Sequence, residues 1–315
     1  MRLLVKTAGA IAFTALILGA AEFAMGQASP DTTDLLKETR VEKITYNSQK
    51  GIYKVHYWSS GDSTFYTVPL FPGDKHIPNT EASVTRENEG EYTYKYFLSN
   101  SDNSLREIYS FSVLVKSQVY DLQNPNNEWR GSYVGWMNKA RWVQTNSESD
   151  TVGILPGKSV KGVFTFNSNE IPGISNAITS SYIGLGNTLD EGPTGRIRRR
   201  VDSLLRTDKN VTVKTIAPKK LPENISNIAL IDTLQSYLTF SCDTTWIANK
   251  GVCRSLEAKL DNVDRQLEQG RDRTAANSLQ ALLNELNALK EKQISSEAYG
   301  LLYFNGQFLL DKLKE

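Results

Sequence analysis

Two histidines, two cysteines, a run of arginines and a set of aromatic side chains are the residues of this chain that raise a chemical question. A Ser/His/Asp hydrolase needs a histidine base and usually a nucleophile on a strained turn. The histidines are His56, in an alternating strand-like run, and His76, in a loop flanked by prolines; no Gly-x-Ser-x-Gly occurs. Both histidines read better as partly exposed side chains than as bases. A zinc centre needs clustered Cys and His, and Cys242 and Cys253 stand far along the chain from both histidines. "SNSDNS" (99–104) lacks the alternating acidic ligands and glycine of a calcium loop and reads as a hairpin turn. A glycosidase needs only two carboxylates at a set separation. That chemistry stays open, because none of the 35 Asp and Glu residues is marked by a motif.

Arg196, Arg198, Arg199 and Arg200 could hold a polyanion such as lipopolysaccharide or an acidic glycan. The plainer reading is the solvated face of a short helix. Tyr92, Tyr94, Tyr96, Trp129, Trp136 and Trp142 could stack on sugar rings, but on alternating strands such rings belong more naturally to a core. The four arginines, Trp129 and Trp136 are kept as candidate ligand contacts. No residue set calls for a cofactor. A formal net charge of +1 supplies no global field toward nucleic acid.

The elements that would position these residues are mostly strands. "GIYKVHYW" (51–58) and "STFYTVPLF" (63–71), joined by "SSGDS", predict a hairpin. Residues 72–91 are polar and hold two prolines, which predicts a loop with at most a short edge strand. "EYTYKYFLSN" (91–100) alternates with Tyr92, Tyr94, Tyr96 and Leu98 on one face; "SDNS" and "REIYSFSVLV" (106–115) predict an antiparallel return. "ARWVQTN" (140–146) is another strand. Pro156-Gly157 predicts a type II turn before the strand carrying Phe164 and Phe166. "GRIRRRVDSLLRTD" (195–208) places Ile197, Val201, Leu204 and Leu205 on one helical face, and "VTVKTIAP" (211–218) is a last strand. Closely spaced strands without interleaved helices predict an antiparallel β-sandwich over 41–215. Pro222 and paired lysines make 216–228 a linker that few contacts should cross.

The remainder, 229–315, is helical. "ALIDTLQSYLTF" (229–240) is one short helix, followed by a three-helix module. Leu256, Leu260, Val263 and Leu267 form one apolar stripe, closed by Gly270 as a C-terminal cap. A second stripe runs from Ala275 to Leu289, and a third helix starts at Ser295 as N-cap with Glu297 in its first turn. The fold class expected is therefore mainly β plus α, a sandwich followed by a three-helix module.

Residues 1–26 read as a secretory signal peptide: Arg2 and Lys6, then an apolar run over 7–20, then "AMG" before Gln27. Residues 27–40 are a flexible lead-in. No later run of about 18 apolar residues offers a transmembrane anchor. Export exposes Cys242 and Cys253 to an oxidising compartment, so a disulfide is expected. On one continuous helix the pair would stand about 16 Å apart, and a disulfide needs roughly 4.4–6.8 Å between Cα atoms. The chain must therefore reverse within "DTTWIANKG".

"WIANKGVCRSLEAKL", "AANSLQALLNELNA" and "ISSEAYGLLYFNGQFLLDKL" resemble the FIMAH-type C-terminal helical domain of secreted bacterial proteins. Ile247, Asn249, Gly251, Ser255, Leu256, Lys259, Leu260, Asn284, Ala298, Leu301 and Leu302 carry the resemblance, over residues 230–314. It implies export and attachment rather than chemistry, since such domains are appended to hydrolases and surface proteins alike. Cys242 and Cys253 lie outside its pattern. "YKYFLSN", Trp142 and "LPGKSVKGVFTFNS" resemble, more loosely, sandwich domains of exported bacterial proteins, from which no function is transferred. The function expected is a secreted, non-catalytic binding or structural protein of the cell envelope or exterior, with a glycan or envelope polyanion as partner. The competing class is a secreted carbohydrate-active hydrolase with carboxylates still to be identified.

Overall fold

The computed structural model describes residues 43–59, 64–88, 90–145, 153–181, 199–201, 203 and 210–315. The signal peptide and lead-in (1–40) lie outside these residues, as do Arg196, Ile197, Arg198, Leu204 and Leu205.

The runs rich in aromatic and β-branched residues form three antiparallel sheets. The first is a meander of β1 (Lys43–Asn47), β2 (Ile52–Ser59) and β3 (Thr64–Leu70). β2 and β3 are the expected hairpin. This sheet stands outside the sandwich with its own small core of Val55, Tyr57, Leu70 and Val201. Val201 belongs to the helical turn at 199–201, so the one described apolar residue of that expected helix does face a core.

The sandwich proper has a four-stranded sheet in the order β4-β5-β10-β7 and a five-stranded sheet in the order β12-β11-β6-β9-β8. Its strands are β4 (Pro78–Asn88), β5 (Glu91–Asn100), β6 (Ser110–Leu114), β7 (Tyr120–Gln123), β8 (Trp129–Val134), β9 (Lys139–Gln144), β10 (Phe164–Ser168), β11 (Pro172–Ser180) and β12 (Asn210–Pro218). Aromatic rings fill the space between the sheets. Phe111 of β6 lies 5.0 Å from Phe164 of β10 between ring centroids, and Trp142 of β9 lies 5.2 Å from the same ring. The two buried tyrosine hydroxyls find backbone acceptors: Tyr94 donates to Glu170 O at 2.7 Å and Tyr96 to Ile216 O at 2.9 Å. Gly157 holds φ +72° and Lys158 N–H bonds Leu155 O at 3.0 Å, the hydrogen bond expected of the Pro-Gly turn.

Two expectations about these strands need correction. β5 and β6 are not a hairpin. β5 pairs with β4 and β10, whereas β6 pairs with β9 and β11 in the facing sheet. Tyr96 and Phe111 meet across the sandwich at 5.8 Å instead of lying side by side. The "SDNS" segment is an arch tied by Asn100, which is 2% exposed. Its amide donates to Arg106 O and Ile154 O and its carbonyl accepts from Ser104 Oγ, satisfying backbone that a hairpin ladder would otherwise occupy. The polar segment 72–91 holds an eleven-residue strand, β4, rather than a loop. β4 is an edge strand that begins with Pro78, a position that tolerates the missing N–H. Among its described side chains only Ala82 and Val84 are buried, which left its apolar alternation too short to read.

Four helices follow: α1 (Asn227–Asp243), α2 (Lys250–Glu268), α3 (Asp272–Leu289) and α4 (Ser296–Lys312). α1 is a full-length member rather than a short entry helix; it packs on α2 and α4, and α3 packs on α2 and α4. Ser226, Asn249 and Ser295 cap α1, α2 and α4 through their side-chain oxygens. Gly270 (φ +65°) ends α2: its N–H bonds Leu267 O, and Arg271 N–H bonds Gln266 O, the paired bonds of a Schellman cap.

The expectation that few contacts cross 216–228 does not hold. α4 is buried on nearly every side, between α1 and α3 on one flank and the seam of edge strands β4 and β12 on the other. Gly300 makes this close approach feasible, since a Cβ there would sit 3.1 Å from Ile216 Cδ1 and 3.8 Å from Val84 Cβ. Asn305 donates to Pro172 O at 2.9 Å, and Phe304 meets Tyr92 edge-on at 5.5 Å. Leu301, Leu302 and Leu309 are each at most 2% exposed, a burial worth about 1.5–3 kcal/mol apiece. One continuous apolar core runs from Trp142 in the sandwich to Leu256 in α2. Leu221 and Ile225 of the intervening segment pack against it. The physical reason is the sheet edge: β4 and β12 would otherwise present unpaired backbone, and α4 covers them.

Candidate functional site

Pairing in the first sheet brings Lys43 of β1, His56 of β2 and Thr67 of β3 into one row. The next row along β2 and β3 is Trp58 and Phe65, whose rings meet edge-on at 4.9 Å. Because side chains alternate, this row and the Lys43 row share the face opposite Val55 and Tyr57. Lys43, His56, Phe65, Tyr66 and Thr67 line a hollow of about 340 Å³. His56 Nδ1 and Thr67 Oγ1 are 2.7 Å apart, which fixes the ring in the row. Phe65 is 48% exposed on this face, whereas the Tyr66 ring lies on the opposite face, stacked on Tyr57 at 5.8 Å. A cation, an imidazole, a hydroxyl and aromatic rings thus converge on one open surface. The sequence carried part of this signal in the shared parity of Lys54, His56 and Trp58. Lys43, Phe65 and Thr67 could be added only once the strand register was known.

His76 is not the partly exposed side chain expected from its loop, since it is 2% exposed. Its Nδ1 lies 2.8 Å from Gly73 O and 3.1 Å from Ser181 Oγ, and its Nε2 lies 2.8 Å from Thr179 Oγ1. With the proton on Nδ1, the ring donates to Gly73 O and accepts the Thr179 hydroxyl proton. Burial lowers its pKa below the ordinary 6.5, outweighing the raising effect of the bonds to Gly73 and Thr179. Ser181 and His76 therefore look like a nucleophile and base only on paper. Ser181 Oγ already donates to Gly73 O at 2.9 Å, and both side chains are closed off from substrate. The set pins the 71–77 loop to the end of β11.

The other candidates are scattered. Trp129 is 3% exposed and packs edge-on against Phe164 at 5.0 Å, so it presents no face to a ligand; this corrects its place among the ligand contacts. Trp136 is 82% exposed on a single 3-10 turn, Gly135–Met137. Arg199 and Arg200 are exposed on the turn that buries Val201. Tyr92, Tyr94 and Tyr96 are core, as preferred.

Cys242 and Cys253 are disulfide-bonded, with Cα atoms 6.2 Å apart across the reversal between α1 and α2. Beside them Gln235, Leu238, Thr239, Asp243, Glu257 and Asp261 line a groove of about 400 Å³. The residues singled out around this bend serve the fold. Asn249 accepts the N–H of Gly251 at 2.8 Å, and Ile247 forms a backbone bridge to Ile294. Ser255 and Lys259 reach from α2 to the carboxylate of Glu285 on α3, at 2.9 and 2.6 Å.

Among the described residues no group of three or more His, Cys, Asp and Glu could hold a metal ion, and no helix is long and apolar enough to cross a membrane. A comparison with curated proteins returns no match. The helical region does match a known family: residues 231–311 are a FIMAH domain, which together with the Cys242–Cys253 disulfide is consistent with a bacterial surface or secreted protein.

Proposed function

We propose that this is an exported, non-catalytic protein that binds an acidic glycan at the cell envelope or outside it, through the open face of its first sheet. The observation that carries this reading is the convergence of Lys43, His56, Thr67 and Phe65 on one hollow. A sugar ring has apolar C–H faces that stack on an aromatic ring and hydroxyl edges that pair with polar side chains. A uronate or phosphate substituent would meet the Lys43 ammonium, and His56 would offer the nitrogen not turned to Thr67. The apparent signal peptide over 1–26 and the FIMAH domain support an exported setting. The helical region completes the fold of the β part in this reading and leaves the first sheet open.

The test is binding of the mature protein to an array holding matched acidic and neutral glycans. Selective retention of acidic glycans is expected, with Lys43→Glu and Phe65→Ala each weakening it about ten-fold, the equivalent of about 1.4 kcal/mol. Equal binding to neutral glycans, or variants that bind like the parent, would contradict the reading.

The hydrolase reading has one observation in its favour, the carboxylates Asp243, Glu257 and Asp261 along the α1–α2 groove. Release of new reducing ends from a polysaccharide, lost in Glu257→Gln, would favour it.

A further inference from the structure

The β8–β9 hairpin ends in an arrangement that the glycan reading does not use. Its tip is the 3-10 turn Gly135–Met137, in which no residue is buried. Trp136 is 82% exposed and Met137 42%. The turn is nonetheless well fixed. Asn138 N–H bonds Gly135 O at 3.0 Å, and Val115 N–H bonds Asn138 O at 2.7 Å, tying the tip to the end of β6. A large indole is thus held out in water on a braced support.

Behind the tip the outward face of the hairpin is cationic. The register pairs Val134 with Lys139, Ser132 with Arg141 and Arg130 with Val143. Lys139, Arg141 and Arg130 therefore share the face opposite the core residues Trp129, Ala140 and Trp142. Lys116 adds a fourth charge, because Val115 is bonded to the tip. Arg130, Arg141 and Lys116 are exposed, and no carboxylate among the described residues pairs with any of the four. From residue 129 to 145 the chain holds no Asp or Glu.

We infer that this hairpin tip docks on an anionic lipid bilayer, with Trp136 and Met137 in the interface and Lys139, Arg141 and Lys116 over the headgroups. The spacing suits the layer. Lys139 lies at the base of the tip, and Arg141 lies about 7 Å further back at the rise of a strand. The polar zone of one leaflet is roughly 5–8 Å deep, so the first cations reach headgroup phosphates when the indole reaches the acyl boundary. Tryptophan favours that boundary, with an apolar ring and one N–H for a polar partner. Basic side chains near an anionic leaflet add attraction that fades within a Debye length. A protein partner would also accept an exposed tryptophan. The unpaired row of cations, with no acidic residue among them, favours a surface of uniform negative charge.

The test is co-sedimentation of the mature protein with vesicles of phosphatidylglycerol and phosphatidylcholine, and with phosphatidylcholine alone. Binding to the anionic vesicles is expected, with weakening at high salt and a blue shift of tryptophan emission. Trp136→Ala should weaken binding about ten-fold and remove the shift. Lys139→Glu with Arg141→Glu should abolish binding. Both variants should keep the parental circular dichroism, since the side chains changed are outside the core. No binding to anionic vesicles by the parent, equal binding to phosphatidylcholine, or undiminished binding by Trp136→Ala would overturn the inference. So would a soluble glycan or protein that shifts the Trp136 emission while vesicles do not.

Discussion

Glu297, in the first turn of α4, accepts the backbone N–H of Ala82 on edge strand β4 at 2.6 Å. Glu297 is 5% exposed and Ala82 1%, so the bond is closed off from water. One carboxylate satisfies a sheet edge, sits favourably at a helix N-terminus and joins residues 215 positions apart. Glu297→Ala would leave a buried donor without a partner and is expected to cost about 1–3 kcal/mol. Glu297→Gln keeps an accepting oxygen and should cost less. Urea unfolding midpoints of the two variants measure this; an equal loss in both would assign the effect to charge rather than to the bond.

Gly300 and Gly270 should respond to substitution for different reasons. At Gly300 a side chain would meet Ile216 and Val84, so Gly300→Leu should push α4 off the seam and cost about 1–3 kcal/mol by overpacking. At Gly270 nothing lies within 4 Å of an added Cβ, but φ is +65°. Gly270→Ala should therefore cost only the left-handed backbone, about 1–2 kcal/mol. Thermal or urea unfolding compares them; a neutral Gly300→Leu would mean that α4 does not sit against the seam.

Much of this architecture was legible, and the failures have a common cause. Local patterns marked β2, β3, β5, β9, β10 and β12, because alternation is written within each strand. Ser295, Glu297 and Gly270 marked helix ends, because caps are local chemistry. Partner choice between strands was not written locally. The rows of Tyr94, Tyr96 and Phe111 suit a neighbour in the same sheet as well as one across the core, and the choice rests on Asn100 bonding to Arg106 O and Ile154 O, 6 and 54 residues away. α4 carried a similar ambiguity. Its apolar residues run almost around the helix, from Ala298 through Phe304 to Leu310, which signals burial on both flanks. The expected three-helix module beyond a linker leaves the second of these flanks without a partner. The site residues Lys43, His56 and Thr67 come from three strands and met only through register.

His76 should make stability depend on pH in a definite direction. Burial holds its folded pKa below 6.5. Well above pH 6.5 the ring is neutral in folded and unfolded chains, and its contribution is complete. As pH falls, the unfolded chain binds a proton that the buried ring resists, and the contribution is lost through the lowered folded value. The slope from this one group cannot exceed about 1.4 kcal/mol per pH unit. Urea unfolding between pH 7 and 5 should show a steeper decline for the parent than for His76→Gln. Parallel curves would mean that the ring titrates freely.

Reduction of Cys242–Cys253 should lower stability by about 3 kcal/mol on the chain-entropy account of a short loop. The exported protein should show no alkylatable thiol by mass spectrometry before reduction. Two free thiols, or an unchanged unfolding midpoint after reduction, would contradict the role given to the bridge.

The central structural claim is that α4 belongs to both cores, so that the sandwich and the helices form one cooperative unit. The direct measurement is equilibrium urea unfolding of the mature protein followed by two probes. Far-ultraviolet circular dichroism near 222 nm, a wavelength set by helix optics, reports the helices, and fluorescence of the buried Trp129 and Trp142, read in a background with Trp58, Trp136 and Trp246 changed to phenylalanine, reports the sandwich. Coincident transitions are expected in the parent, and Gly300→Leu should separate them. Two well-resolved transitions in the parent, with the helices unfolding apart from Trp142, would show that α4 does not hold the two halves together.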